Sequence, residues 1–199
     1  MKNRAVKFFA FVLIAYYLPV ILIWINVIPF DLRFHILVIM AVLLAIYSFL
    51  VKHSSKDLGL RNDTLKTSLI WNGGLSVFFV ALMYGLYVAG LIREPTVPSW
   101  TLFYLFYVFI SSPAQEFIYR SVMFAELEKA NIKQPLLQIA ISAITFSFLH
   151  VIYNDWITLA VTLLMGVIWG FIYNRYPNFW GVTISHAILG VVSIATGLI

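Results

Sequence analysis

Long runs without a charged residue, broken by short clusters of charge, organise this sequence. The charge-free stretches occupy 8–30, 34–51, 67–92, 95–115, 134–154, 156–174 and 176–199. Each comes close to the ~20 apolar residues an α-helix needs to cross a bilayer core. Apolar residues follow one another continuously instead of alternating, as in a spanning helix and unlike a barrel strand. The pattern predicts an all-α polytopic membrane protein with about seven transmembrane helices. The first run follows Lys2, Arg4 and Lys7 as a signal peptide would. Its apolar stretch is too long for one and no small-residue cleavage site follows, so we expect a retained anchor.

Composition narrows the class. The 199 residues are 62% apolar and 11% charged, with a mean hydropathy of +0.95. An ordinary soluble domain carries roughly 25% charged residues. A soluble globular protein, a disordered tail and a coiled coil are thereby excluded. The chain has no cysteine, which removes disulfides, thiolate chemistry and Cys-bound zinc. With the N-terminus in the cytoplasm, Lys2, Arg4, Lys7, Lys52, Lys56, Arg61, Lys66, Lys129, Lys133 and Arg175 lie inside, and only Arg33 and Arg93 lie outside. That bias predicts a multi-pass cell-membrane protein with a cytoplasmic N-terminus. The net charge of +5 is then loop charge facing anionic lipid and gives no reason to expect a nucleic-acid partner.

The longest polar stretch, 52–66, reads as an inner loop with Gly59 as a turn or cap. An outer loop at 93–100 carries Pro95 and Pro98 and separates three helices from the last four. Few polar groups lie in the first three, so 1–92 is expected to support a functional core at 101–199, within one structural domain. Helix four should run from near Trp100 beyond the bilayer to Ala130, with Pro113 as a kink point. Pro135 suits the first position of helix five.

Three ionisable groups carry the candidate chemistry. Glu116 and Arg120 stand four apart in Gln115-Glu116-Phe117-Ile118-Tyr119-Arg120, and so share a helix face. An unpaired charge at membrane depth costs about 2.5–3.5 kcal/mol on insertion scales, so the two are expected to pair towards the protein interior. His150 ends the run Phe146-Ser147-Phe148-Leu149-His150, and lies level with Glu116 across a hairpin turning near Lys133. His186 lies inside an apolar helix with no charge near it in sequence, which makes it a functional candidate. All three share a depth only if the hairpin of helices four and five projects about 10 Å into the cytoplasm. An acid and two imidazoles fit two chemistries. They could hold a divalent metal such as zinc with one position open. They could instead activate water and polarise a carbonyl without a metal.

From about Ser112 to Ile199 these residues resemble the CAAX-processing and bacteriocin-processing (CPBP) protease family, which includes abortive-infection proteins. The similarity rests on the Glu116–Arg120 motif, on Phe146 followed four residues later by His150, and on the late His186 helix. It takes in the Gly-rich stretch 165–173, and 56–61 is similar to a segment common upstream. The resemblance implies an intramembrane endopeptidase cutting a peptide or membrane-associated protein near the cytoplasmic side. In the family the first motif begins with two Glu, and the first of these, with the second motif's His, activates water. The third motif's His, with a polar residue four positions on, stabilises the oxyanion. Carried over, His150 helps activate water, His186 polarises the carbonyl, and Arg120 and Phe146 orient the site. No cofactor is required, and zinc on Glu116, His150 and His186 is the alternative.

Two positions depart from the family. Gln115 stands where the first Glu would be, and a carboxamide cannot act as a base. Gly190, four after His186, has no side chain to donate. Either Glu116 or His150 supplies the base, or the chain is a non-proteolytic relative that binds a peptide or partner helix in the same cavity. A transporter using the three groups as a proton relay would show two-fold internal similarity, and the sequence shows none. Substrate and oligomeric state are left open.

Overall fold

The computed structural model describes residues 2–94 and 100–199. The expected outer-loop prolines, Pro95 and Pro98, lie outside the described residues. Among those described there are seven helical rods and no strand. They are α1 (Arg4–Trp24), α2 (Phe30–Leu50), α3 (Leu65–Val88), α4 (100–129), α5 (Pro135–Tyr153), α6 (Trp156–Arg175) and α7 (Phe179–Thr196). The protein is an all-α polytopic membrane protein. Six rods are long and apolar enough to cross a membrane, not the seven the charge gaps suggest.

The exception, α4, is the middle of the bundle. From 111 to 127 every residue is buried except the half-buried Pro113 and Phe117. Its Glu116, Arg120 and Glu126 lower its hydropathy, and the other rods shield them from lipid. The outer rods show the reverse pattern. Phe49, Val77, Leu136 and Trp156 are each more than 70% exposed, as lipid-facing side chains should be.

Proline sets local geometry within two rods. The hydrogen bonding of α1 widens to a π pattern at Leu13–Tyr17, and that of α4 at Tyr107–Ser111. Pro19 and Pro113 lack the N–H that carbonyls 15 and 109, inside those turns, would otherwise accept. The expected disturbance at Pro113 is therefore a widened turn. A second wide turn follows at Phe117–Val122. There the Ile118 carbonyl accepts the Tyr16 hydroxyl at 3.0 Å and the Tyr119 carbonyl accepts Ser142 Oγ at 2.8 Å. Side chains of α1 and α5 thus pin the turn.

Small residues set the spacing of the other rods. A Cβ at Gly166 would come within 3.0 Å of Ala143 Cα, so α6 lies directly on α5. A Cβ at Gly181 would overlap Ser68, which holds α7 against α3. These are the small-residue contacts by which membrane helices approach closely.

The 52–66 loop positions the start of α7. Gly59 turns with φ +71°, and its carbonyl accepts the Phe179 N–H at 3.0 Å. Asn178 caps α7 by accepting from the N–H groups of Trp180 and Gly181, both at 3.1 Å. Its Nδ2 donates to the Arg61 carbonyl at 2.6 Å, and Thr64 donates to the Pro177 carbonyl at 2.6 Å. His53, from the same loop, meets Glu126 of α4 at 3.0 Å, and burial pushes its imidazole below the ordinary pKa against the pull of that carboxylate. Asn178→Ala removes both the cap and the tie. It should lower the unfolding free energy by about 1–2 kcal/mol, read by reversible unfolding in mixed micelles. An unchanged transition would mean that water replaces the cap at no cost.

Candidate active site

Glu116 lies in the short regular turn Ser112–Glu116 between the two widened turns of α4. Its Oε1 meets His186 Nδ1 of α7 at 2.6 Å. An ionised carboxylate can only accept, so Nδ1 carries the proton. On the other side of the ring, Nε2 lies 3.1 Å from the Tyr107 hydroxyl. Trp169 of α6 stacks on the imidazole, with centroids 4.8 Å apart and planes 20° apart, and its own N–H donates to Ser185 Oγ at 3.0 Å. Phe146 of α5 meets the ring edge-on at 5.6 Å. Groups from three helices, α4, α5 and α6, thus fix the position and tilt of His186 on α7.

Arg120 Nε lies 3.5 Å from Glu116 Oε2, and the guanidinium rests 4.5 Å above the Phe146 ring centroid. Both charges are fully buried. The Arg contact is an ion pair longer than a hydrogen bond, so the tight partner of Glu116 is His186.

His150 falls in the last turn of α5, tightened to 3₁₀ geometry at Leu149–Tyr153. Its Nδ1 donates to the Phe146 carbonyl at 3.1 Å, leaving Nε2 as an acceptor. The ring also packs on Phe146, with centroids 5.1 Å apart. Gln115 Nε2 donates to Ser111 Oγ at 3.0 Å, and its buried Oε1 meets no donor among the described residues.

Two cavities meet here. One, of about 410 Å³, is lined by Tyr107, Gln115 and His150, and extends to Arg33, Arg93 and Asp155. There Arg93 bonds Asp155 at 2.6 Å, and the Thr158 hydroxyl together with Arg93 holds the Asp155 carboxyl at a pKa of about 2. The other, of about 220 Å³, is apolar and lies between α3, α6 and α7, lined by Phe79, Met83, Met165, Trp169 and His186. Tyr107 and His150 border both. Glu116 lines neither.

The structure therefore brings Glu116, Arg120, Phe146 and His186 into contact, and sets His150 and Gln115 on one cavity beside them. A zinc site on Glu116, His150 and His186 does not fit this arrangement. Among the described residues no three His, Asp or Glu side chains form a group that could hold a metal. Oε1 and Nδ1, 2.6 Å apart, are at the distance of a shared proton. Ligands about 2.0–2.2 Å from one zinc would stand further apart. Sequence reasoning missed Tyr107, Ser111 and Trp169. The pattern 107, 111, 115 on one helix face was the signal available for the first two.

A bundle spanning the bilayer, with a carboxylate–imidazole pair sealed at its centre and a second imidazole on an adjoining cavity, defines a polytopic membrane protein built for chemistry at membrane depth. Residues 97–192 match the family described as type II CAAX prenyl endopeptidase Rce1-like. Over that segment, just under half of its length, the chain is similar to this protease family, which is the CPBP family. No curated protein and no solved structure matches the chain.

Breaking a buried ion pair by removing one partner costs about 3–5 kcal/mol. Arg120→Leu should lose stability on that scale, while Glu116→Gln/Arg120→Leu should lose less than Arg120→Leu alone. Unfolding of Arg120→Leu, Glu116→Gln and the double variant in micelles gives the comparison. Additive losses would show that the two charges do not interact.

Proposed function

We propose that this protein is an intramembrane endopeptidase that uses His150 as its base. The observation that carries the reading is the 2.6 Å bond between Glu116 and His186, close to a cavity lined by His150 and Gln115. With Oε1 on His186 and Oε2 towards Arg120, Glu116 is occupied as an orienting group. Water sits between His150 Nε2 and Gln115 Oε1. His150 takes a proton from the water as the oxygen bonds to the scissile carbonyl carbon. The carbonyl electron pair moves onto its oxygen, which His186 in its charged form holds through Nε2–H while Glu116 balances the ring. Collapse of the tetrahedral intermediate breaks the C–N bond, and His150 returns the proton to the leaving nitrogen. Gln115 keeps a place in this scheme by positioning water, a role that needs no basicity. Residues 101–199 form the catalytic core. The earlier helices do more than support it, since Phe79 and Met83 wall the apolar cavity.

The apolar cavity suits a substrate that brings an apolar group or segment from the lipid, in keeping with the prenyl endopeptidase named by the family. We place the mouth of the cavity lined by His150 and Gln115 at Arg33, Arg93 and Asp155, which lie at the end of the bundle away from the 52–66 and 129–135 loops. With a cytoplasmic N-terminus, a substrate using this cavity would enter from the other face of the membrane. The bias of basic residues favours a mouth on the outer face.

Loss of a general base costs about 10²–10⁴-fold and loss of an oxyanion donor about 10²–10³-fold. His150→Ala and His186→Ala should lower cleavage of a membrane peptide by those factors, and Glu116→Gln should follow His186→Ala. All three must remain folded by near-UV circular dichroism. Full cleavage in all three would end the reading, and peptide binding without any product would favour the non-proteolytic alternative. The absence of cysteine makes orientation accessible too. In intact cells a membrane-impermeant maleimide should label Glu94→Cys at the mouth and leave Lys56→Cys unlabelled. The opposite pattern would place the mouth in the cytoplasm.

A further inference from the structure

Gly190 is the residue one turn beyond His186, and the room beside it is taken. A Cβ built there would collide with the hydroxyl and ring of Tyr107. The phenol comes from α4, 83 positions earlier in the chain by residue number, and fills what a side chain at 190 would need. Phe103 stacks on its ring with centroids 5.9 Å apart, and His186 packs against it at 6.0 Å. The widened turn Tyr107–Ser111, a consequence of Pro113, begins at this residue. The hydroxyl reaches His186 Nε2 at 3.1 Å. It also stands on the border between the polar cavity of His150 and Gln115 and the apolar cavity beneath His186.

A phenol has one O–H donor and can accept as well. When His186 Nε2–H turns to a carbonyl oxygen, the Tyr107 O–H is left beside the same point. An extended chain crossing from one cavity to the other must pass this hydroxyl. We propose that Tyr107 is a catalytic residue, whose hydroxyl and His186 Nε2–H together hold the oxyanion, with Gly190 conserving the space it needs. No atom is transferred to or from the phenol. Its O–H bond stays intact and its hydrogen bond strengthens as charge develops on the carbonyl oxygen. This assignment rests on the endopeptidase reading.

Tyr107→Phe keeps the ring and removes the hydroxyl alone. It should lower kcat by about 10²-fold with KM unchanged, as for other oxyanion donors. A space-filling tyrosine would leave kcat intact. Gly190→Asn alone should collide with the ring and destabilise the protein. Tyr107→Ala/Gly190→Asn places a carboxamide N–H in the vacated space, and should be more active than Tyr107→Ala. Binding separates the failure of this proposal from failure of the endopeptidase reading. A peptidyl phosphinate, which mimics the tetrahedral intermediate, should bind the wild type more tightly than the parent peptide, and Tyr107→Phe should lose most of that difference. If Tyr107→Phe keeps the full difference, or keeps the wild-type kcat, the role of Tyr107 is overturned and the endopeptidase reading stands. If the wild type shows no difference and no cleavage, both fall.

Discussion

The hydrogen bond between Glu116 and His186 is the constraint on which the rest of the molecule depends. It joins two ionisable groups at membrane depth, where each alone would be costly. For it to form, α4 must be enclosed by the other rods, and the start of α7 must be fixed. The structure meets both conditions. Side chains of α1 and α5 bond the opened carbonyls of α4. The 52–66 loop grips Asn178, eight residues before His186. Trp169 and Phe146 then set the tilt of the imidazole. Contacts that look like separate pieces of packing all restrict where one ring nitrogen points.

The same bond separates two carboxyl-like positions that are neighbours in the chain. Successive residues on a helix point about 100° apart. Glu116 faces the sealed interior with Arg120, while Gln115 faces the cavity. The charge is therefore kept where it orients an imidazole, and a neutral carboxamide stands where water can reach. In the proposed scheme that division leaves the proton-accepting role to His150. It also explains why substituting the cavity-facing position need not disturb the buried pair.

Much of the fold was legible because charge is expensive in lipid. Except at α4, gaps between charged residues mark the rods to within six positions, and the i, i+4 pair Glu116 and Arg120 was readable as a buried contact. The true nature of α4 was not, because its low hydropathy reflects burial behind neighbours that a single segment does not reveal. The partnership of Glu116 with His186 spans 70 positions and depends on helix rotation, which periodicity in an apolar segment leaves undetermined. Tyr107 was hidden for a similar reason. It is one of 11 tyrosines, and only its collision with an imagined side chain at Gly190 sets it apart.

The most direct test of the central claim is the imidazole proton spectrum of the ¹⁵N-histidine-labelled protein in micelles. A short, charge-assisted bond from Nδ1 to a buried carboxylate should give His186 a far-downfield, slowly exchanging proton that disappears in Glu116→Gln while the His150 signals stay in place. A His186 proton that exchanges freely with water, or that is indifferent to Glu116→Gln, would contradict the account.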